Sequence, residues 1–88
     1  MKVTILYRKD RDYNRTLEEY VREFKSRTGQ DLEMVDVDSR EGSAKAELYD
    51  AVQYPAIIAE NYQGEMMRMW QGMPLPLMNE LSFYNQQN

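Results

Sequence analysis

Four basic side chains fall within eight positions near the N-terminus: Arg8, Lys9, Arg11 and Arg15. They stand just before a segment with helical periodicity. The free N–H groups and the positive dipole end of a helix N-terminus favour anions. The cluster could therefore take a phosphate, a carboxylate or an acidic peptide. The plainer alternative is a solvated loop whose charge Asp10 and Asp12 partly neutralise. A second group, Met66, Met67, Met69 and Met73 around Trp70, gathers thioethers. Clustered thioethers bind copper(I) or make an adaptable contact surface, and packing in a strand is the simpler role. Asp36 and Asp38, with Glu33, put carboxylates two apart on a strand, where they share a face. No third ligand accompanies that pair, so it reads as structural and no metal site is expected.

The chain has 88 residues, with no cysteine and no histidine. Without a thiolate it has neither the nucleophile nor the leaving group of thiol–disulfide exchange. A general base near neutral pH would have to be a carboxylate or lysine with a shifted pKa. No pair of titratable residues stands out as nucleophile plus base, so neither an enzyme nor a cofactor is expected. The net charge of −4 argues against nonspecific nucleic-acid binding. The apolar run near the N-terminus is too short for a signal peptide or a membrane span, which makes a cytoplasmic protein without membrane attachment the expectation. Charge is uneven: residues 1–28 hold eight of the eleven Lys and Arg, and residues 29–88 hold ten of the fifteen acids. Such a dipolar chain can steer partners.

The elements that would position these residues are legible in outline. Val3 to Tyr7 is a β-rich apolar run suited to a strand buried on both faces. Leu17, Tyr20, Val21 and Phe24 form one helical stripe, Thr16 and Glu19 fit a capping box, and Gly29 is a stop signal. Leu32 to Val37 alternates as a second strand. Ala44, Leu48, Ala51 and Val52 predict a second helix over 43–52. Ala56 to Ala59 is a third strand, turned by Asn61 to Gly64 into a fourth, Met66 to Trp70. Alternation in that strand puts Met67 and Met69 on one face and Met66, Arg68 and Trp70 on the other. Gly72, Pro74 and Pro76 precede a last short helix carrying Leu75, Met78 and Leu81. One domain over residues 1–84 with a polar tail at 85–88 is expected. The class is α/β: a β-α-β-α-β-β-α order, a four-stranded mixed sheet, and helices on both faces.

That order resembles the glutaredoxin and thioredoxin family, and local signals support it. Tyr7, Arg8 and Lys9 resemble the end of the first strand in glutaredoxins. On that register the two positions of the C-x-x-C motif fall on Asp12 and Arg15, with Tyr13 and Asn14 between them. The stretch YDAVQYPAIIAENYQGE is similar to the family's helix end, cis-proline, buried strand and glycine turn, which makes Pro55 the cis-proline. Gly72 matches the glycine before the last helix. The aspartate by which glutaredoxins hold glutathione would fall near Pro74 or Leu75, and neither can replace it. Asp12 at the motif's first position reads as a helix cap, in competition with Thr16.

The resemblance implies a redox-inactive, glutaredoxin-like domain that binds protein or peptide. The expected face combines Lys9, Arg11, Tyr13, Arg15, Tyr54, Pro55 and Gly72, with the backbone of Tyr54 offered for strand addition. A binder of a small anion or glutathione-like ligand is the alternative, as is a structural homodimer closed through Met66 to Trp70.

Overall fold

The computed structural model describes residues 2–84; the tail expected at 85–88 lies outside the described residues. Its elements are β1 (Lys2–Tyr7), α1 (Asn14–Thr28), β2 (Glu33–Asp36), α2 (Arg40–Leu48), β3 (Ala56–Glu60), β4 (Met66–Gln71) and α3 (Met78–Tyr84). The sheet order is β2-β1-β3-β4. β1 runs parallel to β2, joined by the α1 crossover, and antiparallel to β3, and β4 returns antiparallel on β3. β1 and β3 are the inner strands, which accounts for their largely apolar runs: Val3 to Leu6 and Ala56 to Glu60 are buried throughout, with Thr4 and Glu60 the polar members.

Alternation divides the core into two layers. Val3, Ile5, Leu32, Ile57 and Ala59 pack against Leu17 and Phe24 of α1 and Leu81 of α3. Leu6, Val37, Ala56 and Ile58 pack against Ala46 of α2 and Ala51. Helices therefore cover both faces. Thr4 is buried in β1, and its hydroxyl has no partner among the described residues. An unbonded buried hydroxyl costs about 1 kcal/mol or more. Thr4→Val is therefore expected to raise the melting temperature by roughly 4–8 °C; a thermal melt that falls instead would mean the hydroxyl is satisfied.

The structure corrects several local expectations. α1 starts two residues before the capping box, with Tyr13 at the N-cap position and no side-chain cap. Neither Thr16 nor Asp12 caps it, because Tyr13 and Asn14 are both tied to the main chain of Arg8, which fixes where the helix begins. Glu19 pairs with Arg15 instead, at 3.8 Å. α2 starts at Arg40, three residues before the expected start, with Ser39 as N-cap accepting from the Gly42 N–H at 3.0 Å. It ends by Tyr49, and Asp50 takes a positive φ of 57°. Leu48 and Val52, placed on the buried stripe by periodicity, are 71% and 70% exposed; the buried positions are Gly42 and Ala46.

In β4 a bulge sets Met66 opposite Glu60 but Arg68 opposite Ala59. Glu60 and Ala59 belong to opposite faces, so Met66 does not share the face of Arg68 and Trp70. Beyond the bulge the alternation holds: Trp70 packs on the α1/α3 layer and Met69 on the α2 layer.

Candidate functional site

The pairing of β1 with β3 sets Leu6 opposite Ala56. The loop that follows β1 is thereby brought beside Tyr54 and Pro55, whose peptide bond is cis. Arg8 is the hub between them. Its N–H donates to the Tyr13 hydroxyl at 2.9 Å, and its carbonyl accepts from the Asn14 amide at 2.8 Å. Its guanidinium lies 5.1 Å from the centre of the Tyr54 ring and pairs with Asp38 at 2.9 Å. A cation over an aromatic face contributes about 0.5–1 kcal/mol at an exposed site. Lys9 turns away, toward Asp36 at 3.7 Å. The acids that neutralise the basic cluster are thus Asp36 and Asp38, from the end of β2 and the turn after it, with Glu19 on Arg15, rather than Asp10 and Asp12.

At the two motif positions, Asp12 and Arg15 are both exposed. Arg11 is exposed as well and makes no ion pair among the described residues. Asn14 Oδ1 is buried there without a partner among the described residues. The first turn of α1 contains no acidic residue.

Around Pro55 the backbone is only partly engaged. The N–H groups of Val52 and Gln53 both donate to the Gln71 side-chain oxygen, at 2.8 and 3.0 Å. Gly72 donates its N–H to the Pro55 carbonyl at 2.9 Å. It does so with φ +75°, where a Cβ would also come within 3.1 Å of the Gln53 side chain. The Tyr54 hydroxyl donates to the Ala51 carbonyl at 2.9 Å. Among the described residues nothing bonds the backbone N–H or C=O of Tyr54.

The structure therefore brings together Tyr13, Tyr54, Pro55 and Gly72 around Arg8. Arg11 and Arg15 stand at the exposed start of α1, and Lys9 leaves the group. Arg8 was legible as part of the basic cluster but not as the residue that joins the loop to Tyr54. The available signal was a basic residue directly after a central strand, opposite the acidic end of β2.

A second polar cluster lies at the other end of β3. Glu60 is buried and pairs with Lys45 at 2.8 Å; the Tyr49 hydroxyl approaches it at 2.6 Å. Burial alone would raise the Glu60 carboxyl, but the bonds from Lys45 and Tyr49 and the charges of Lys45 and Lys2 hold it below the usual carboxylate range. The bond to Glu60, then burial, pushes Tyr49 up to about 12. Among the described residues no three His, Cys, Asp or Glu side chains are grouped to hold a metal ion. No helix among them is long and apolar enough to cross a membrane.

No family model matches the chain, and neither does any curated protein. The chain is similar to a solved structure, thioredoxin 1 from the thermophilic eubacterium Thermosipho africanus TCF52B. The TM-score is 0.68 at 13% identity, covering 96% of this chain and 93% of that one. A likeness at that identity speaks for the fold alone.

Proposed function

We propose that this cysteine-free chain of thioredoxin-like fold is a redox-inactive binding module that takes an extended protein or peptide segment. The binding face is the loop between Lys9 and Arg15, with the Lys9 side chain turned away to Asp36, together with Tyr54, Pro55 and Gly72. The observation that carries this reading is the open backbone of Tyr54. Val52 and Gln53 have their N–H groups occupied by Gln71, and Arg8 has its main-chain groups occupied by Tyr13 and Asn14. Tyr54, in their midst, retains a donor and an acceptor for a strand laid alongside. Arg11, exposed and without an ion pair among the described residues, gives the face a preference for an acidic segment.

Peptide-array screening followed by NMR titration tests this. A binding peptide is expected to shift the Tyr54 amide. Arg11→Glu is expected to weaken it at least fivefold while leaving the melting temperature within about 2 °C, since the Arg11 side chain has no hydrogen bond or ion pair among the described residues and only its carbonyl, which the substitution keeps, serves the start of α1. No bound peptide, or binding insensitive to both Arg11→Glu and Tyr54→Ala, overturns the reading.

A small anion, glutathione-like ligands included, is the second reading. It is favoured by the start of α1, which has neither a side-chain cap nor an acid in its first turn. Ligand binding raises stability by mass action. Thermal shifts with phosphate, nucleotides and glutathione at millimolar concentration therefore separate the two readings, and no shift discards this one.

A further inference from the structure

The sheet has two outer strands, and they are built differently. β2 has four residues, includes Glu33 and Asp36, and is followed by Asp38. Those carboxylates are paired with Lys2, Lys9 and Arg8, so that edge is short and crowded with charged side chains, which guards it. β4 is six residues, MMRMWQ, with Arg68 its only charge. Met66, Met67 and Met73, on or just beyond it, are 42%, 52% and 50% exposed.

The direction of the β4 backbone follows from its bonds to β3. Gly72 donates inward to Pro55, and the register sets Trp70 opposite Ile57 and Arg68 opposite Ala59. Hydrogen-bonded and non-bonded pairs alternate along an antiparallel ladder. Arg68, Trp70 and Gly72 are therefore the residues whose backbone groups turn toward β3. Those of Met69 and Gln71 turn outward, along an edge that no other strand covers among the described residues.

We propose that β4 pairs antiparallel with β4 of a second copy of this chain, about a two-fold axis at Met69, continuing the sheet from one copy into the other. This is independent of the peptide-binding face. The register is chosen by charge. An axis at Arg68 would set guanidinium on guanidinium. An axis at Trp70 would set Arg68 opposite Gly72 and bring it no counter-charge. With the axis at Met69, each Met69 exchanges both hydrogen bonds with the partner's Met69. Gln71 meets the partner's Met67, and Arg68 lies opposite the partner's Trp70.

That last pairing supplies the complementarity. Within one chain Arg68 bonds Glu80 at 2.8 Å and lies 4.7 Å from the centre of the Trp70 ring, while the Trp70 indole N–H donates to Glu80 at 3.0 Å. Each guanidinium would thus face a second aromatic ring with a second carboxylate beside it. Positive and negative groups alternate across the axis.

The absence of native cysteine makes the register directly readable. Opposed residues of a hydrogen-bonded pair lie about 5.5 Å apart at Cα, within disulfide range. Met69→Cys is expected to form a disulfide-linked dimer under mild oxidation. Met67→Cys and Gln71→Cys are each expected to stay unlinked alone and to cross-link when mixed. Sedimentation of the unaltered chain from micromolar to millimolar concentration is expected to show a dimer. Met69→Pro removes an outward donor and spares the ladder to β3, and is expected to weaken the dimer at least tenfold with an unchanged far-UV spectrum. A monomer at every concentration overturns the proposal. So does a dimer that persists in a folded Met69→Pro chain, or cross-linking by Met67→Cys alone with none at Met69→Cys.

Discussion

Gly42→Ala is expected to cost about 3 kcal/mol, the upper part of the overpacking range, and to lower the melting temperature by roughly 12–24 °C for a domain of this size. The reason is a close approach of two backbones. A Cβ at position 42 would stand 2.1 Å from the Asp36 carbonyl oxygen, 2.8 Å from its carbon and 2.9 Å from Val37 Cα. None of these can swing aside as a side chain can. The Asp36 carbonyl is also held by both the N–H and the hydroxyl of Ser39, at 3.0 and 2.6 Å. To admit a methyl group, α2 must lift from the sheet, loosening the contact of Ala46 with Leu6 and Ile58 and stretching the Ser39 cap. Ser43→Ala, one residue on and exposed, is the control and should leave the melt nearly unchanged. A Gly42→Ala chain melting within about 4 °C of the parent would show that α2 has room to spare.

Lys45→Met is expected to cost a similar amount, about 3 kcal/mol, because it takes from the buried Glu60 the cation bonded to it and leaves only the charge of Lys2. The pair is well enclosed, with side-chain exposures of 18% for Lys45 and 9% for Glu60. Replacing both, as Lys45→Met with Glu60→Leu, is expected to recover most of the loss, since an apolar pair has no charge to desolvate. A double variant as unstable as the single one would refute that account. Acid gives an independent check. The carboxyl of Glu60 is held below its ordinary value, 4.5, so the fold favours its ionised form. Its contribution is complete above that ordinary value and is lost as pH falls through the lower, folded-state value. Melting temperatures of the parent should therefore decline in acid more steeply than those of Glu60→Gln.

These two sites also mark what a sequence can and cannot disclose. The order of elements was legible because inner strands are largely apolar runs and α1 carries a clear stripe. The bounds of α2 were not. Its buried side is made of Gly42 and Ala46, too small to register as hydrophobic periodicity, while the larger Leu48 and Val52 point to solvent. The capping box at Thr16 was a sound local signal that a tertiary tie to Arg8 outweighed. Alternation in β4 was readable as far as the bulge, which inserts a residue without any turn-forming type to announce it.

Within the candidate site, Tyr54, Pro55 and Gly72 were placed together by the resemblance to the glutaredoxin and thioredoxin family. The partners of Arg8 and Lys9 were not, because Asp38 and Asp36 are distant in sequence and meet them only through the parallel pairing of β1 with β2. The cluster of Glu60, Lys45 and Tyr49 had one visible trace, a glutamate closing the apolar run AIIAE. Its cation sits on another element, fifteen residues earlier.

The inner position of β1 has a bearing on how the chain is made. Its first neighbour, β2, is complete at residue 36, whereas its second, β3, ends at residue 60. At synthesis rates of 5–20 residues per second, the interval is about 1–5 s. During it, Val3 to Leu6 present an uncovered hydrogen-bonding rim with nothing on the ribosome to match it. A nascent chain held with β2 emerged from the ribosome and β3 still inside should be the form most readily captured by chaperones, and emergence of β3 should end the capture.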